Sequence, residues 1–337
     1  MSPVGETRSR TGVRRPRGEP AGEILLAPVP PFDFALSASI FSGGDPQIRS
    51  YSEGSFRQVL RTRDGLLLAT VTGTGAIDRP AVHLRLEPEP AKGEAKRETG
   101  ETVRKIFNLD LDLAPFYEAI KGDTVMAALA RRLRGLKPPR TPSVFESLVD
   151  SITEQQISLT AAISIERRII RTFGDTLAVG GRTYAAYPSP ERLAAASPGE
   201  LRACGLSGKK AEYISGIAGQ VRDGSLDLEG HGPGEGTAEI IGELREIRGV
   251  GLWTAELTVL RGLSRLDAIP ADDLGLRRSI SAFYSGGSRI DAAGARRIAG
   301  GWGPWKGLAS FYLIVAEWNG IPGPAGAGIV KGGRGPS

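Results

Sequence analysis

Apolar and polar residues alternate over the first part of the chain, and the apolar spacing then becomes helical. Segments 56–60 and 66–71 flank Asp64-Gly65, and segment 81–86 alternates in the same way. An Asp-Gly pair between two alternating segments predicts a β-hairpin, and the third segment extends it into an antiparallel sheet. The charged segment 93–100 predicts a loop after this sheet.

The rest of the chain is dominated by apolar residues at helical spacing, interrupted by Gly and Pro. Lys137-Pro138-Pro139-Arg140 predicts a domain boundary. From 143 to 318 the pattern predicts helices joined by turns, with two helices between 143 and 173. Ser189 and Ser197 each precede a proline, which predicts two further helix N-termini.

The predicted fold class is therefore α+β, with an N-terminal antiparallel β-sheet domain with helices followed by a mostly helical domain. The predicted divisions are a disordered basic arm at 1–21, the sheet domain at 22–138, the helical domain at 139–320 and a disordered Gly/Pro tail at 321–337. The arm is either a solvated tail or a nonspecific DNA tether.

Composition excludes several classes of protein. The 337 residues are 40% hydrophobic and 24% charged, which is ordinary for a soluble globular chain. The single cysteine, Cys204, excludes an internal disulfide, a multi-cysteine zinc site and a four-cysteine iron–sulfur cluster. There is no apolar segment of membrane-spanning length, and the N-terminal arginines are not followed by the apolar segment of a secretory signal. We therefore expect a cytoplasmic protein, associated with the nucleoid if it is prokaryotic; the formal net charge of +5 is compatible with nucleic acid without identifying it.

The first candidate for chemistry is the segment 244–251. Leu244 and Ile247 share a helix face, and Gly249-Val250-Gly251 follows. Glycine allows positive φ and close approach of a ligand, and the amides that open the next helix can bind an anion such as a backbone phosphate. The same residues are equally typical of a helix C-cap with no ligand.

The second candidate is the acidic pair Asp272-Asp273, which follows Pro270 at the start of another helix. A single aspartate there is most often an N-cap, but two exceed what capping needs. We assign the cap to Asp272 and the chemistry to Asp273. Close to a helix N-terminus and to Arg277 or Arg278, Asp273 is expected to stay ionised, as stabilisation of an oxocarbenium-like sugar cation requires.

Together these segments resemble the helix-hairpin-helix (HhH-GPD) DNA glycosylases. Three further segments resemble that superfamily in the same order along the chain. They are 145–158, which ends in a Gln-containing loop; 204–211, which includes Gly205-Leu206-Ser207; and 302–306, Trp-Gly-Pro-Trp-Lys. The β-rich N-terminal part resembles the extra domain of the alkyl-base and 8-oxoguanine branches.

The resemblance implies a role for individual residues. Asp273 matches the catalytic aspartate, and Trp253 stands where bifunctional glycosylase/lyases have a nucleophilic lysine. Tryptophan cannot form a Schiff base, so the resemblance implies a monofunctional enzyme that uses water, similar to the 3-methyladenine glycosylase II branch. Gln156 matches the position of a side chain that fills the gap left by the extruded base. The other expected DNA contacts are Gly249, Val250, Gly251, Thr254 and Arg277.

The expected base pocket is less typical of the superfamily. It comprises Trp253, Gln155, Leu257, Tyr312 and Ile314. Some alkyl-base relatives have aromatic residues in place of Leu257 and Ile314, and these would attract a cationic purine, so the preferred lesion stays open. Tyr312, Trp302 or Trp305 would either compensate or belong to the core.

The resemblance also implies a partner and an ion. The partner is damaged duplex DNA, bound by a monomer. The backbone carbonyls of Arg245, Ile247 and Val250 match positions that hold a structural Na⁺ or K⁺, and no other cofactor is required. Two alternatives remain: a glycosylase for 8-oxoguanine or a deaminated base, and an HhH protein that binds DNA without catalysis.

Overall fold

The computed structural model describes residues 23–89, 93–232 and 234–323. The predicted basic arm at 1–21 and most of the predicted tail lie outside these ranges. The first tail residues do not separate from the fold, because Ile321 packs against a helical core. Among the helices that the structure describes, none has the length and apolar character needed to cross a membrane.

The N-terminal region forms an antiparallel five-stranded sheet in the order β1-β5-β4-β3-β2. The strands are β1 Glu23–Leu26, β2 Arg49–Ser52, β3 Ser55–Thr62, β4 Gly65–Ala76 and β5 Arg79–Glu87. Thr62 pairs with Gly65 and Leu60 with Leu67, which confirms the hairpin predicted at Asp64-Gly65. A short helix, α1 Phe34–Ala38, precedes β2.

The prediction of a loop at 93–100 is wrong, because the segment begins helix α2, Gly93–Ile106. Its charged residues lie on the exposed face, where Arg97 donates hydrogen bonds to Glu94 and Glu101 at 2.6 Å each. Residues four apart form the opposite face, which packs on the sheet: Ala95, Thr99 and Val103. The local excess of charge concealed this helical spacing.

Twelve further helices follow within the described ranges. They are α3 Ala114–Ala119, α4 Thr124–Arg132, α5 Val144–Glu154, α6 Leu159–Phe173, α7 Pro190–Ala195, α8 Pro198–Ala203, α9 Gly208–Arg222, α10 Thr237–Glu246, α11 Leu252–Leu263, α12 Leu274–Tyr284, α13 Ala292–Gly300 and α14 Lys306–Trp318. Ser189 and Ser197 cap α7 and α8, as predicted.

A small hairpin interrupts the helices and was not predicted. It comprises β6 Thr176–Val179 and β7 Arg182–Ala185, joined by Gly180 and Gly181, which both have positive φ. The adjacent glycines were the one sequence feature that could have indicated this turn. Each strand has only four residues, which is too short for alternation to distinguish it from a loop.

The helices enclose two cores, and their packing corrects the predicted domain boundary. Helices α5 to α11 surround the first core. The second contains α12 to α14 together with segment 113–136, so the sheet domain separates from the helices near residue 110 rather than at 138. Lys137 is fully buried, and its Nζ donates to the carbonyls of Val29 (2.7 Å) and Leu109 (3.1 Å). The segment around the two prolines is therefore part of the packed interior rather than a linker.

Candidate functional site

The hairpin between α10 and α11 is closed by its own backbone. Val250 N donates to Ile247 O at 3.0 Å. Gly249 has φ +94°, and a Cβ there would lie 2.3 Å from the ring of Tyr213 on α9. Positive φ and close packing on Tyr213 both require glycine at position 249.

The N-terminus of α11 is not capped by a side chain. Gly251 is its N-cap residue and is exposed, as is Leu252 in the first turn. By contrast, serine side chains cap α5, α6 and α9. The amides of the first turn of α11 are thus free to bind an anion, which the helix dipole would favour.

Gln155 joins the end of α5 to the hairpin. Its Nε2 donates to Gly249 O at 3.0 Å and to Thr254 Oγ1 at 2.9 Å. Lys210, from the 204–211 segment, donates through Nζ to Thr153 O (2.9 Å) and Gln155 O (2.6 Å). Three segments identified in the sequence therefore meet at the end of α5: 145–158, 204–211 and 244–251.

These contacts change the roles expected for two residues. The Thr254 side chain is buried and bonded to Gln155, so it positions the turn and does not face outward. The amide nitrogen of Gln155 is likewise engaged by the hairpin. The next residue, Gln156, is exposed with φ +56° and projects from the protein surface together with Ile157, which is 39% exposed.

Asp273 is the N-cap of α12, and the expectation that Asp272 provides the cap is wrong. Leu276 N donates to Asp273 Oδ1 at 2.8 Å. Asp272 instead faces Arg296, 3.8 Å away. Asp273 Oδ2 accepts no hydrogen bond from any residue in the described ranges. One carboxylate oxygen therefore fixes the group, and the other is available to a ligand.

Asp273 interacts electrostatically with Arg261 of α11, a cation that was not expected from the sequence. Arg278, one expected partner, donates instead to Glu317 Oε1 at 2.7 Å. The other, Arg277, has a buried Nε without a partner among the described residues. Burial opposes the charge of Arg261, but Glu154, Asp150 and Asp273 together raise its pKa. Arg261 is one of two charged residues on the largely apolar helix α11, the other being Glu256, and this was the sequence signal that could have revealed it.

The residues expected in the base pocket do not all lie together. Trp253 is half-buried and belongs to neither of the two helical cores, as a residue that lines a cleft would. Leu257 is 6% exposed, and Ile314 is half-buried against the second core.

Tyr312 does not line a pocket. It is fully buried in the second core, its hydroxyl donates to Leu136 O at 3.0 Å, and Tyr117 Oη lies 3.2 Å away. Trp302 is also a core residue whose Nε1 donates to Asp123, and Trp305 packs on Phe116. Tyr312 and Trp302 are therefore core residues and do not compensate for Leu257 and Ile314.

Comparison with known proteins identifies the family. A model of the "HhH-GPD superfamily base excision DNA repair protein" matches residues 149–304. A DNA-3-methyladenine glycosylase of Bacillus subtilis (strain 168) is 33% identical over 227 residues, covering 67% of this chain and 75% of that protein. The chain belongs to the HhH-GPD superfamily. DNA-3-methyladenine glycosylase 2 of Escherichia coli (strain K12) is 28% identical over 273 residues, covering 80% and 85%.

Solved structures of the superfamily share the whole architecture. The 3-methyladenine DNA-glycosylase from Archaeoglobus fulgidus superposes with a TM-score of 0.77 at 25% identity, covering 87% of this chain and 98% of that one. An 8-oxoguanine glycosylase/lyase of Clostridium acetobutylicum shares the fold, with a TM-score of 0.70 at 19% identity and coverage of 90% and 98%. The sheet domain, which lies outside the segment matched by the family model, is included in these alignments.

One ionic cluster of this HhH-GPD protein joins the sheet to the helices, and the sequence analysis missed it. Arg49 of β2 donates to Glu146 (2.9 Å) and Glu166 (3.0 Å), and Tyr187 donates to Asp150 (2.8 Å). Burial raises the pKa of Glu146 to about 7 and that of Asp150 well above its usual range. Glu146 and Asp150, four residues apart on the buried helix α5, were the available signal.

Proposed function

We propose that this protein is a monofunctional DNA glycosylase that hydrolyses the N-glycosidic bond of alkylated bases in duplex DNA. The observation that carries the proposal is Asp273, which has one oxygen held by the N-terminus of α12 and the other free. The glycosylase names of the Bacillus subtilis and Escherichia coli relatives support the choice of alkylated bases.

The chemistry follows from the position of that carboxylate. As the C1′–N bond breaks, its electron pair leaves with the base and positive charge develops on the sugar. The free oxygen of Asp273 would stabilise this charge, and water would add to C1′ with loss of a proton. An alkylated base that carries a positive charge already has a weakened glycosidic bond. The main contribution required of the enzyme is therefore electrostatic stabilisation of the positive charge on the sugar.

Two residues support hydrolysis without a lyase step. Trp253, which stands where lyases have lysine, offers no amine for a Schiff base. Lys210 is held by two backbone carbonyls, Thr153 O and Gln155 O, at the end of α5. Its amine is therefore committed to structure rather than to nucleophilic attack.

The surface around the hairpin suits duplex DNA bound by a monomer. The uncapped amides of α11 would bind a backbone phosphate, helped by Arg248, which is highly exposed and lies over the Tyr213 ring. Gln156 would enter the space left by the extruded nucleotide. Exposed large apolar side chains also flank the site and would contact the opened duplex: Ile157, Leu159, Leu252 and Leu274.

The carbonyls of Arg245, Ile247 and Val250 would hold a structural Na⁺ or K⁺ at the hairpin. Ile247 O already accepts from Val250 N, but a carbonyl oxygen has two lone pairs and can also face a cation. Oxygen donors suit alkali cations, and a bound cation would add positive charge near the phosphate. The described residues contain no cluster of His, Cys, Asp and Glu that could hold a metal ion.

Assay of duplexes that each contain one lesion tests the proposal: 3-methyladenine, 1-methyladenine, hypoxanthine or 8-oxoguanine. We expect release of the methylated base, with no strand break before alkali. Preferential release of hypoxanthine or 8-oxoguanine would instead support a glycosylase for another lesion, which the aliphatic Leu257 and Ile314 keep open. Binding without release of any base would indicate a non-catalytic protein, and a borohydride-trapped adduct would contradict monofunctionality.

A further inference from the structure

An ion pair crosses from the end of α5 to α11 beside Asp273. Arg261 Nη1 donates to Glu154 Oε1 at 2.6 Å. The Glu154 side chain is 20% exposed and that of Arg261 39% exposed, so water reaches both groups. The other guanidinium nitrogens of Arg261 have no acceptor among the residues that the structure describes.

The position of Arg261 relates it to the reacting nucleotide. Asp273 is close enough to Arg261 to contribute to its raised pKa. If Asp273 faces C1′ of an extruded nucleotide, the base attached to that carbon lies within electrostatic reach of the guanidinium. An uncompensated guanidinium there would repel a cationic base and would leave a neutral base largely unaffected.

Glu154 is the carboxyl that pairs directly with this guanidinium. The other carboxyl of α5 near Arg261 is Asp150, four residues earlier. Burial raises the pKa of Asp150 well above its usual range, and its Oδ1 accepts from Tyr187 rather than from Arg261. Glu154 also precedes Gln155, whose bonds to the hairpin fix the end of α5.

We propose that Glu154 is a specificity-determining residue, which neutralises Arg261 so that a positively charged base can occupy the cleft. This inference rests on the proposed glycosylase function and assigns to one ion pair the discrimination between cationic and neutral damaged bases. In this arrangement Arg261 is the cation whose charge Glu154 offsets through their ion pair.

The test compares single-turnover release of cationic 7-methylguanine with release of neutral hypoxanthine from matched duplexes. We expect E154Q to lower the ratio of the two rates about ten- to a hundredfold. E154D, which retains the charge, should keep the ratio. R261Q should raise the ratio, and the E154Q/R261Q double variant should return it towards the wild-type value.

The matched control is E317Q, since Glu317 is 21% exposed and bonds to Arg278 at 2.7 Å. E317Q removes an ion pair of similar exposure that does not involve Arg261, so any change should affect both rates equally. An unchanged ratio in E154Q and R261Q would overturn the inference. If E154Q does not fold, R261Q alone tests the inference, because it should raise the ratio of the two release rates. Failure of the wild type to release 7-methylguanine would contradict the proposed function instead.

Discussion

At the scale of single residues, Asp273 combines a structural and a chemical role in one carboxylate. Oδ1 caps α12 through Leu276 N, and Oδ2 has no partner among the described residues. The sequence indicated that this acidic pair mattered, but it could not show which residue was the cap. That assignment depends on the direction of the chain entering α12, which places Asp272 towards Arg296.

The cap can be separated from the chemistry by substitution. Asn is as good an N-cap as Asp, so D273N should retain the thermal stability of the wild type. D273A removes the cap and should lower the free energy of unfolding by about 1 kcal/mol. Urea denaturation measures both variants, with D272N as the control. Equal losses in D273N and D273A would contradict a capping role.

Sequence reasoning about single residues failed where the answer depended on tertiary packing. Tyr312 has the spacing of a pocket residue, but its hydroxyl bonds within the core. Arg261 and Glu154 are 107 positions apart, and no local pattern relates them. Such pairs become visible only when α5 and α11 are packed together.

At the scale of elements, the hairpin was the most predictable part of the site. Two glycines between apolar helix faces indicate a turn, and the structure shows why Gly249 is required. The caps at Ser189 and Ser197 and the β3–β4 hairpin were predictable for the same reason, because their signals are local. Helix α2 was not, since its charged residues conceal the four-residue spacing of its buried face.

The two glycines of the hairpin should respond differently to substitution. G249A imposes positive φ on alanine and pushes a methyl group into Tyr213, so it should cost about 2 kcal/mol of stability and weaken DNA binding. G251A is the matched control, because Gly251 has φ −89° and open space around its Cβ position. Thermal unfolding compares the stability of the two variants, and DNA titration follows G249A. Similar losses for the two variants would contradict this account of the turn.

At the scale of the whole molecule, buried charge links the sheet domain to the helices. Arg49 of β2 reaches Glu146 and Glu166 across the boundary between the two regions. The sequence predicted both regions and their order. It did not predict this contact or the position of the boundary, because segment 113–136 packs with helices that follow much later in the chain.

This cluster makes stability depend on pH. Burial raises the pKa of Glu146 from 4.5 to about 7 in the folded protein. Between these values the folded state binds more protons than the unfolded state, so stability falls as pH rises through this window. We expect this carboxyl to contribute a loss of about 2 kcal/mol between pH 5 and pH 8.

E146Q should reduce that loss, as urea denaturation at the two pH values would measure. The exposed Glu118, paired with Lys121 at the surface, provides the control substitution E118Q, which should leave the slope unchanged. If the free energy of unfolding of E146Q fell with pH as steeply as that of the wild type, the pKa of Glu146 would not be raised.

The central claim is that the Asp273 carboxylate stabilises the sugar cation, and single-turnover base release tests it most directly. On a duplex containing 3-methyladenine, D273N should release base about 10²- to 10³-fold more slowly than the wild type or below detection, with DNA affinity and thermal stability retained. Release at the wild-type rate by folded, DNA-bound D273N would contradict the account.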